Sequence, residues 1–199
     1  MVRRVSSKPP SAGRNYAAVV IGVSAGGMKA LDTILPRLPA DFKLPVIVVS
    51  HRHRNSDDYL EQHMNELCAL PVKQADEKEK IIPGVIYFAP PNYHLLVEDD
   101  RTFSLSVDAP VNYARPSIDV LFESALAVFG AGLVGIVLTG ANNDGSRGLK
   151  KIKQAGGLTI AQDPACAEVP HMPRAAIAAA GPDLVLSLEK IGELLAGQL

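Results

Sequence analysis

The stretch that most constrains the fold is residues 17–27, which read A-A-V-V-I-G-V-S-A-G-G. A β-branched apolar run ends at Ser24, and Gly26 and Gly27 follow directly. From Met28 onward, apolar residues recur at intervals of three and four, which is the spacing of an amphipathic helix. The stretch therefore predicts a buried strand, a sharp turn with a serine at its tip, and a helix.

Residues 22–26, G-V-S-A-G, match the G-x-S-x-G pattern of a nucleophile elbow, in which a serine hydroxyl stands clear of the sheet. The small neighbours of Ser24 permit a tight turn and leave room for an approaching group. Short Gly/Ser turns also occur in structural and phosphate-binding loops, and a serine here can simply cap the following helix. The motif alone leaves these interpretations open.

The composition narrows the classes of function. A chain of 199 residues with 47% hydrophobic residues suits one domain with a large core. A net charge of −1 and 5% aromatic residues argue against nucleic-acid binding, since positive charge and stacking platforms are both scarce. No apolar run approaches the roughly 18 residues needed to span a membrane, so we expect no membrane insertion. Two widely spaced cysteines suggest no disulfide framework, and we expect a cytoplasmic protein.

Strand-like and helix-like patterns alternate along the chain after a basic segment rich in Pro, Ser and Gly. We expect residues 1–15 to be a flexible tail and residues 16–199 to form the domain. The main strands are continuous apolar runs, which predicts a doubly wound α/β domain with a mostly parallel sheet flanked by helices. Residues 94–97 and 102–107 flank a polar turn and predict an antiparallel β-hairpin added to this sheet. The predicted sheet strands are residues 19–23, 45–50, 71–75, 84–89, 132–139, 158–162 and 184–186.

Three predicted strands end in residues that can do chemistry. The first ends at Ser24, the second at His51, and the strand of residues 132–139 leads to Asp144. In a doubly wound fold, ligands bind beyond the carboxyl ends of the strands. If these strands are neighbours, a hydroxyl, an imidazole and a carboxylate converge, which is the set of groups that acyl transfer requires.

Several alternatives remain at this point. His53 is a second candidate base, and Asp119 is a second candidate acid that we expect in the first turn of a helix. Residues 22–27 also fit a Rossmann fingerprint with its middle glycine replaced, so a nucleotide-binding domain is a competing interpretation. His51 and His53 could contribute to a metal site, but metal sites usually need more closely spaced ligands. We therefore expect no metal and no cofactor.

Seven segments, in order along the chain, resemble the catalytic domain of the chemotaxis protein-glutamate methylesterase, CheB. The resemblance extends from about residue 16 to the C-terminus. The segments are I-G-V-S-A-G-G (21–27), V-I-V-V-S-H (46–51), A-P-P-N-Y-H (89–94), R-P-S-I-D-V-L-F (115–122), V-L-T-G-A-N-N-D-G (137–145), A-G-G-L-T-I-A-Q-D (155–163) and M-P-R-A-A-I (172–177).

The resemblance implies a serine esterase that hydrolyses glutamyl methyl esters on the cytoplasmic regions of chemoreceptors and often deamidates receptor glutamines. It implies the nucleophile, base and acid at Ser24, His51 and Asp144. It also implies that residues beside the nucleophile and the acid support the oxyanion and the turn, which here are Ala25, Ala141 and Asn143. Candidate residues of the substrate cleft are His94, Met172 and Arg115. Further arginines that could face an acidic receptor helix are Arg52, Arg54 and Arg147.

The chain departs from the family pattern in three respects. Ala25 stands where the family usually has threonine, which removes a polar group beside the nucleophile. Ala141 and Asn142 replace the usual methionine and glycine in the turn before the acid. We also expect no phosphorylatable receiver domain in this chain. A catalytically weak or inactive interaction module with the same fold is therefore the alternative to an active esterase.

Overall fold

The computed structural model of the protein describes residues 15–198, so the predicted tail lies outside the described residues except for Asn15. The described part alternates strands with helices, as the sequence predicts. Its strands are β1 (Ala18–Val23), β2 (Val46–Ser50), β3 (Val72–Gln74), β4 (Ile86–Phe88), β5 (His94–Val97), β6 (Phe103–Ser106), β7 (Leu133–Val137), β8 (Leu158–Gln162) and β9 (Leu184–Leu186). Its α-helices are α1 (Gly27–Ile34), α2 (Tyr59–Leu67), α3 (Ile118–Phe129), α4 (Ser146–Gln154), α5 (His171–Ala180) and α6 (Leu188–Gln198).

Within residues 15–198, seven strands form one parallel sheet in the order β3-β4-β2-β1-β7-β8-β9. Alternate residues of a strand point to opposite faces, and both faces of this sheet carry apolar side chains. In β1, for example, Val19 and Ile21 belong to one hydrophobic core, whereas Ala18 and Val20 belong to the other. This double burial explains why the strands read as unbroken apolar runs.

The helices cover both faces of the sheet. Helices α1, α2 and α6 contribute Leu31, Met64 and Ile191 to the first core. Helices α3 and α4, with α5, contribute residues such as Phe122 and Ile152 to the second core. The prediction of a doubly wound α/β domain is therefore confirmed.

The predicted hairpin is also present, as the antiparallel pair β5-β6. Leu95 and Phe103 from its two strands are fully buried and join the second core, where β5 packs against α3. The backbone N–H of Val97 donates to the hydroxyl of Ser124 on α3 over 3.1 Å. The hairpin therefore extends the core on one side of the main sheet without adding strands to it.

Prolines lie at two helix boundaries. The helix after the elbow ends at Ile34, and residues Leu35–Arg37, which include Pro36, form a 3₁₀ turn because proline cannot continue the α-helical hydrogen bonds. Helix α5 begins two residues before Pro173, since a proline within the first turn loses no intrahelical hydrogen bond.

The composition led us to expect no disulfide framework and no membrane insertion. Cys68 and Cys166 are both free thiols. Burial, followed by the charge of Asp32, raises the pKa of the Cys68 thiol to about 11, whereas Cys166 is exposed. No helix in residues 15–198 is long and apolar enough to cross a membrane.

The strand order decides where the predicted site residues lie. Strand β1 is central, with β2 on one side and β7 on the other. Beyond the strand ends, the N–H of His51 donates to the carbonyl of Val23 over 3.0 Å, and the N–H of Ser24 donates to the carbonyl of Thr139 over 2.9 Å. The carboxyl ends of these three strands are therefore adjacent, as the sequence interpretation required.

Gly22 brings β1 against α3, because a methyl group at this position would overlap the side chain of Ile118. We expect Gly22→Ala to lower the free energy of unfolding by about 1–3 kcal/mol, the usual cost of overpacking a core. Urea denaturation monitored by circular dichroism measures the change. Gly197→Ala is the control, since a methyl group there meets nothing within 4 Å. Equal stability of the two variants would contradict this account of the packing.

Candidate active site

Ser24 lies at the tip of the turn between β1 and α1, and it is only partly buried. Its hydroxyl makes no hydrogen bond to any other group in the described part of the chain. Helix α1 begins after Gly26, which has a φ of 78°, and no side chain caps it. Ser24 is therefore not a helix cap, and its hydroxyl is free to react.

The turn that carries Ser24 is tied to the neighbouring strand by Thr139, which follows β7. The Thr139 hydroxyl donates to the carbonyl of Ala25 over 2.8 Å and accepts from the N–H of Val169 over 2.9 Å. Its backbone N–H donates to the side-chain oxygen of Gln162 over 2.8 Å. The sequence motifs did not single out Thr139, because its role depends on the pairing of β1 with β7.

His51 follows β2 and contacts Asp144, the residue that precedes the N-cap of α4. The distance between His51 Nε2 and Asp144 Oδ2 is 2.9 Å, and the His51 side chain is 12% exposed. Ser24 and His51 line the same cleft. The structure thus brings together the three residues that the sequence singled out.

The carboxylate of Asp144 is fully buried and lies at the N-terminus of α3. It accepts from the backbone N–H groups of Ile118 and Asp119 over 2.7 and 3.1 Å, so it caps α3 rather than the helix that follows it in sequence. A negative charge at this position is stabilised by the unpaired N–H groups and the dipole of the helix. Further donors to the carboxylate are the Ser117 hydroxyl, the Asn112 amide and the Gly145 N–H.

The pKa values of Asp144 and Asp119 are shifted in opposite directions. Burial alone would raise the pKa of Asp144, but the hydrogen bonds from His51, Asn112 and Ile118 outweigh it, and its pKa lies below the usual 3.8. At Asp119, burial dominates over the hydrogen bond from the Gly148 N–H and raises the pKa. The charge of Asp144 raises the pKa of Asp119 further. Asp144 is therefore the carboxylate that stays ionised beside the histidine.

The hydrogen bonds of Asn142 define the tautomer of His51. The side-chain oxygen of Asn142 accepts from the N–H of Asp144 over 3.1 Å, which turns its NH₂ group toward His51 Nδ1, 3.4 Å away. Because Nε2 carries a proton toward the carboxylate of Asp144, Nδ1 is the unprotonated ring nitrogen. Nδ1 is therefore the ring nitrogen that carries the lone pair, and the nearby donor in this structure is the NH₂ group of Asn142.

Of the residues predicted to support the oxyanion and the turn, Ala25 and Ala141 offer backbone N–H groups that are free within the described residues, whereas Asn143 takes part through its carbonyl. The N–H groups of Ala25 and Ala141 donate to no acceptor within residues 15–198, and both residues are exposed. Asn143 contributes to the turn through its carbonyl, which accepts from Ser146 over 3.3 Å. The side chain that supports this turn is that of Asn142, the residue that replaces the family's glycine.

His94 was predicted to line the substrate cleft, but the structure places it beneath the site. It is 2% exposed, and both ring nitrogens are used. Nε2 donates to the carbonyl of Ala109 over 3.2 Å, and Nδ1 accepts from the N–H of Ser117 over 3.1 Å. His94 is the first residue of β5. It joins the loop between β6 and α3, through Ala109, to the start of α3, and it does not face the cleft.

The other two predicted cleft residues differ from one another. Met172 is fully buried, and a methyl group on Gly140 would overlap its sulfur and lie 2.9 Å from Ser24 Cβ, so Met172 and Ser24 meet beside this glycine. Arg115 borders the cleft. It donates to the side-chain oxygen of Asn92 over 2.8 Å and to the carbonyl of Asp108 over 3.0 Å.

The alternative base, His53, and the alternative acid, Asp119, do not form the histidine–carboxylate contact that His51 and Asp144 form. His53 is exposed, and its Nδ1 accepts from the N–H of Asn55 over 3.3 Å. Asp119 lies in the first turn of α3, as predicted, but its oxygens accept from Gly148 and Asn112 and not from a histidine. Arg147 is paired with Glu123 over 2.6 Å.

Asn112 is a site residue that no sequence motif indicated. Its NH₂ group donates to both Asp119 Oδ2 and Asp144 Oδ1 over 3.0 Å, and it has a left-handed φ of 51°. It lies in the loop between β6 and α3, and its partners are 7 and 32 residues away in sequence. No local pattern could have predicted these contacts.

The cleft has two arms, which share Ser24, His51 and Arg52. The side chain of Arg52 forms a two-pronged ion pair with Glu61 on α2, and both side chains are largely buried. We call the first arm, beside α1 and α2, the helix arm; its lining includes Met28, Asp32, Tyr59 and Glu168. We call the second the loop arm; its lining includes Arg54, Asn92, Tyr113, Arg115 and Asn142.

The fold and the site together define a class of protein. A doubly wound α/β domain that places a serine, a histidine and an aspartate at the carboxyl edge of its sheet has the architecture of a serine hydrolase. Among the residues that the structure describes, no three His, Cys, Asp or Glu side chains are grouped to hold a metal ion.

Comparison with known proteins identifies the family within this class. The chain belongs to the CheB methylesterase family, whose model matches residues 19–195. It is similar to the catalytic domain of the CheB methylesterase of Thermotoga maritima, with a TM-score of 0.88 and 33% sequence identity. That match covers 94% of this chain and 100% of the Thermotoga chain.

Two relatives show how much of a protein the chain corresponds to. A Leptospira interrogans protein, provisionally named protein-glutamate methylesterase/protein-glutamine glutaminase, is 56% identical over 90% of this chain and 93% of its own length. Protein-glutamate methylesterase/protein-glutamine glutaminase 1 of Methanosarcina mazei is 41% identical over 88% of this chain. The latter match spans only 50% of the Methanosarcina protein.

The buried carboxylate of Asp144 yields a prediction about stability. In Asp144→Asn, one acceptor oxygen is replaced by an NH₂ group that faces buried donors, so we expect a loss of about 3–5 kcal/mol at pH 7 by urea denaturation. Because the folded pKa of Asp144 is lowered, its stabilisation is complete above the usual pKa of 3.8 and is lost as the pH falls through the folded value. The difference between wild type and variant should therefore shrink below about pH 4.

The control for this prediction is Asp108→Asn, since Asp108 is exposed near the same loop. We expect its free energy of unfolding to stay within about 0.5 kcal/mol of the wild type. A loss in Asp144→Asn that persists unchanged at pH 3, or an equal loss in Asp108→Asn, would contradict the assigned role of the carboxylate.

Proposed function

We propose that the protein is a protein-glutamate methylesterase whose catalytic triad is Ser24, His51 and Asp144. One observation carries the proposal: a serine with an unengaged hydroxyl shares a cleft with a histidine that is hydrogen-bonded to a buried carboxylate. Membership of the CheB methylesterase family supports the choice of substrate, and so do the names of the relatives from Leptospira and Methanosarcina.

In the first half of the reaction, the hydroxyl of Ser24 attacks the carbonyl carbon of the glutamyl ester while His51 Nδ1 accepts its proton, which replaces the long 3.4 Å contact of Nδ1 with the Asn142 NH₂ group. The carboxylate of Asp144 stabilises the imidazolium that forms, through the proton on Nε2. The bond to the methoxy group then breaks, and methanol leaves with the proton from His51. The product of this half is an acyl-enzyme on Ser24.

The negative charge that develops on the carbonyl oxygen requires hydrogen-bond donors. The N–H groups of Ala25 and Ala141 are suited to this role, because both belong to turns at the carboxyl edge of the sheet and neither donates to an acceptor in residues 15–198. Such preorganised donors lower the barrier most where water is excluded. The replacement of the family's threonine and methionine by alanine does not remove a backbone donor.

In the second half of the reaction, His51 Nδ1 accepts a proton from water, and the hydroxide attacks the acyl carbon. Ser24 leaves with the proton from His51, and a free glutamate carboxylate is released. If the substrate is a glutamine side chain, ammonia takes the place of methanol and the remaining steps are the same. No cofactor takes part in either reaction.

The substrates in this proposal are the methylated glutamates of chemoreceptor cytoplasmic regions. A protein that acts on these substrates works in the cytoplasm, where it would reverse receptor methylation. The protein contacts its receptor through the cleft that contains Ser24 and His51.

We expect Ser24→Ala to reduce methanol release from methylated chemoreceptor membranes by a factor of about 10⁴ or more, because no other group can form the acyl-enzyme. His51→Ala should cost about as much, since serine and histidine act as a unit. The control is His63→Ala, since His63 lies on α2, pairs with Asp32 and does not line the cleft.

A fluorophosphonate probe tests the nucleophile independently of the receptor. We expect mass spectrometry to locate the label on Ser24 in the wild type and to find none in Ser24→Ala. Labelling of another residue, or full activity in His51→Ala with loss in His53→Ala, would show that the triad has been assigned wrongly. Labelling of Ser24 without methanol release would contradict the substrate and not the triad.

A further inference from the structure

A tight turn projects over the loop arm of the cleft. The N–H of Val111 donates to the carbonyl of Ala114 over 3.1 Å, and the N–H of Ala114 donates back to the carbonyl of Val111 over 2.9 Å. Between them, Asn112 and Tyr113 have φ values of 51° and 63°. Two successive residues with positive φ are the mark of a type I′ turn, which favours Asn at the first position and Gly at the second.

Tyr113 is therefore an unusual residue for its position. A side chain with a Cβ costs about 1–2 kcal/mol in the left-handed region, where glycine costs nothing. The ring is fully exposed and makes no ring stacking or side-chain hydrogen bond with any residue from 15 to 198. The fold gains nothing from this tyrosine, and strained residues that the fold does not need are concentrated at functional sites.

The turn is held rigidly relative to the triad. Asn112, next to Tyr113, donates to Asp144 Oδ1 and to Asp119 Oδ2 over 3.0 Å each. The backbone of Tyr113 therefore has a defined position relative to His51 and Ser24, which line the same loop arm. A tyrosine on such a backbone is suited to binding, because it offers a large contact area and has only two side-chain torsions to order.

The loop arm also carries uncompensated positive charge. Its lining contains no Asp or Glu side chain, and Glu61 neutralises only Arg52. The acceptors around Arg115 are neutral: the side-chain oxygen of Asn92 and the carbonyls of Val107 and Asp108. Arg54 is exposed and forms no ion pair within the described part of the chain. The helix arm, in contrast, is lined by three acidic residues, Asp32, Asp57 and Glu168, and beside the paired Arg52 by one basic residue, Lys29.

We propose that Tyr113, Arg54 and Arg115 form the surface on which the receptor segment docks, and that acidic residues flanking the glutamyl ester enter the loop arm. The ring of Tyr113 packs on the aliphatic part of the segment, while the two guanidinium groups face its carboxylates. The negative charges of the helix arm direct the acidic side of the segment away from that arm. This inference rests on the proposed function and extends it to the path and orientation of the substrate.

The decisive variant is Tyr113→Gly, assayed on two substrates. For methylated chemoreceptor membranes we expect KM to rise about tenfold with kcat nearly unchanged, as when a central aromatic contact of an interface is removed. For p-nitrophenyl acetate, which has no peptide segment to dock, we expect the wild-type kcat/KM. The urea midpoint should be unchanged or higher, because glycine relieves the left-handed strain.

Lys78→Gly is the matched control, since Lys78 is exposed, has a φ of 63° and lies outside both arms of the cleft. We expect it to leave the kinetics on both substrates unchanged. A wild-type KM for receptor membranes in Tyr113→Gly would overturn the docking surface. Equal losses on both substrates would also overturn it, because Tyr113 would then act by supporting the triad.

The charge of the loop arm is tested by Arg54→Glu, with Lys150→Glu as the control at an exposed position outside the cleft. We expect Arg54→Glu to raise KM for receptor membranes severalfold at low salt and less at high salt, because salt screens exposed charges. An equal effect of both variants would overturn the charge argument. If the wild type itself releases no methanol from these membranes, the proposed function fails and this inference fails with it.

Discussion

The buried carboxylate of Asp144 is the interaction on which the rest of the site depends. It caps α3 and accepts hydrogen bonds from the side-chain NH₂ group of Asn112, in the loop before α3, and from Nε2 of His51. Three separate segments therefore meet on one ionised group, and each of them supplies a hydrogen-bond donor to it. This concentration of donors keeps the carboxylate charged in a buried position, where desolvation alone would favour its neutral form.

The same network couples stability to the proposed chemistry. The carboxylate that stabilises the start of α3 also accepts from His51 Nε2, which leaves Nδ1 as the unprotonated ring nitrogen. Asn142 contributes from the other side of the ring, and it does so from a position where the family pattern has glycine. The ring of His51 is therefore contacted by Asp144 at one nitrogen and by Asn142 at the other.

The two arms of the cleft differ in what their residues do for the fold. In the helix arm, the ion pair of Arg52 with Glu61 joins the end of β2 to α2. In the loop arm, Tyr113 occupies a strained backbone position and contacts no other ring. A side chain that is exposed and strained, next to a network of well-satisfied buried groups, is the part of this surface that the fold leaves available for a partner.

Local sequence patterns were sufficient for the strands, the helices and the identity of the residues at the strand ends. Runs of β-branched residues predicted β1 and β2, and Ser24 and His51 are the residues that directly follow these strands. His94 was misplaced, because its position at the start of a hairpin strand does not reveal that both its ring nitrogens are used by backbone groups. Asn112 and Thr139 gave no signal, since their partners are distant in sequence.

The order of the strands was settled only by the packing of the whole domain. Nothing local to β1 specifies that β2 and β7 lie on either side of it, yet this order alone brings the serine, the imidazole and the carboxylate to one edge. Likewise, Asp144 reads as a cap for α4 but caps α3, because the hydrogen-bond donors nearest to it in space belong to a helix that precedes it by 26 residues. Periodicity and turn chemistry are properties of neighbouring residues, whereas these contacts exist only once the sheet has formed.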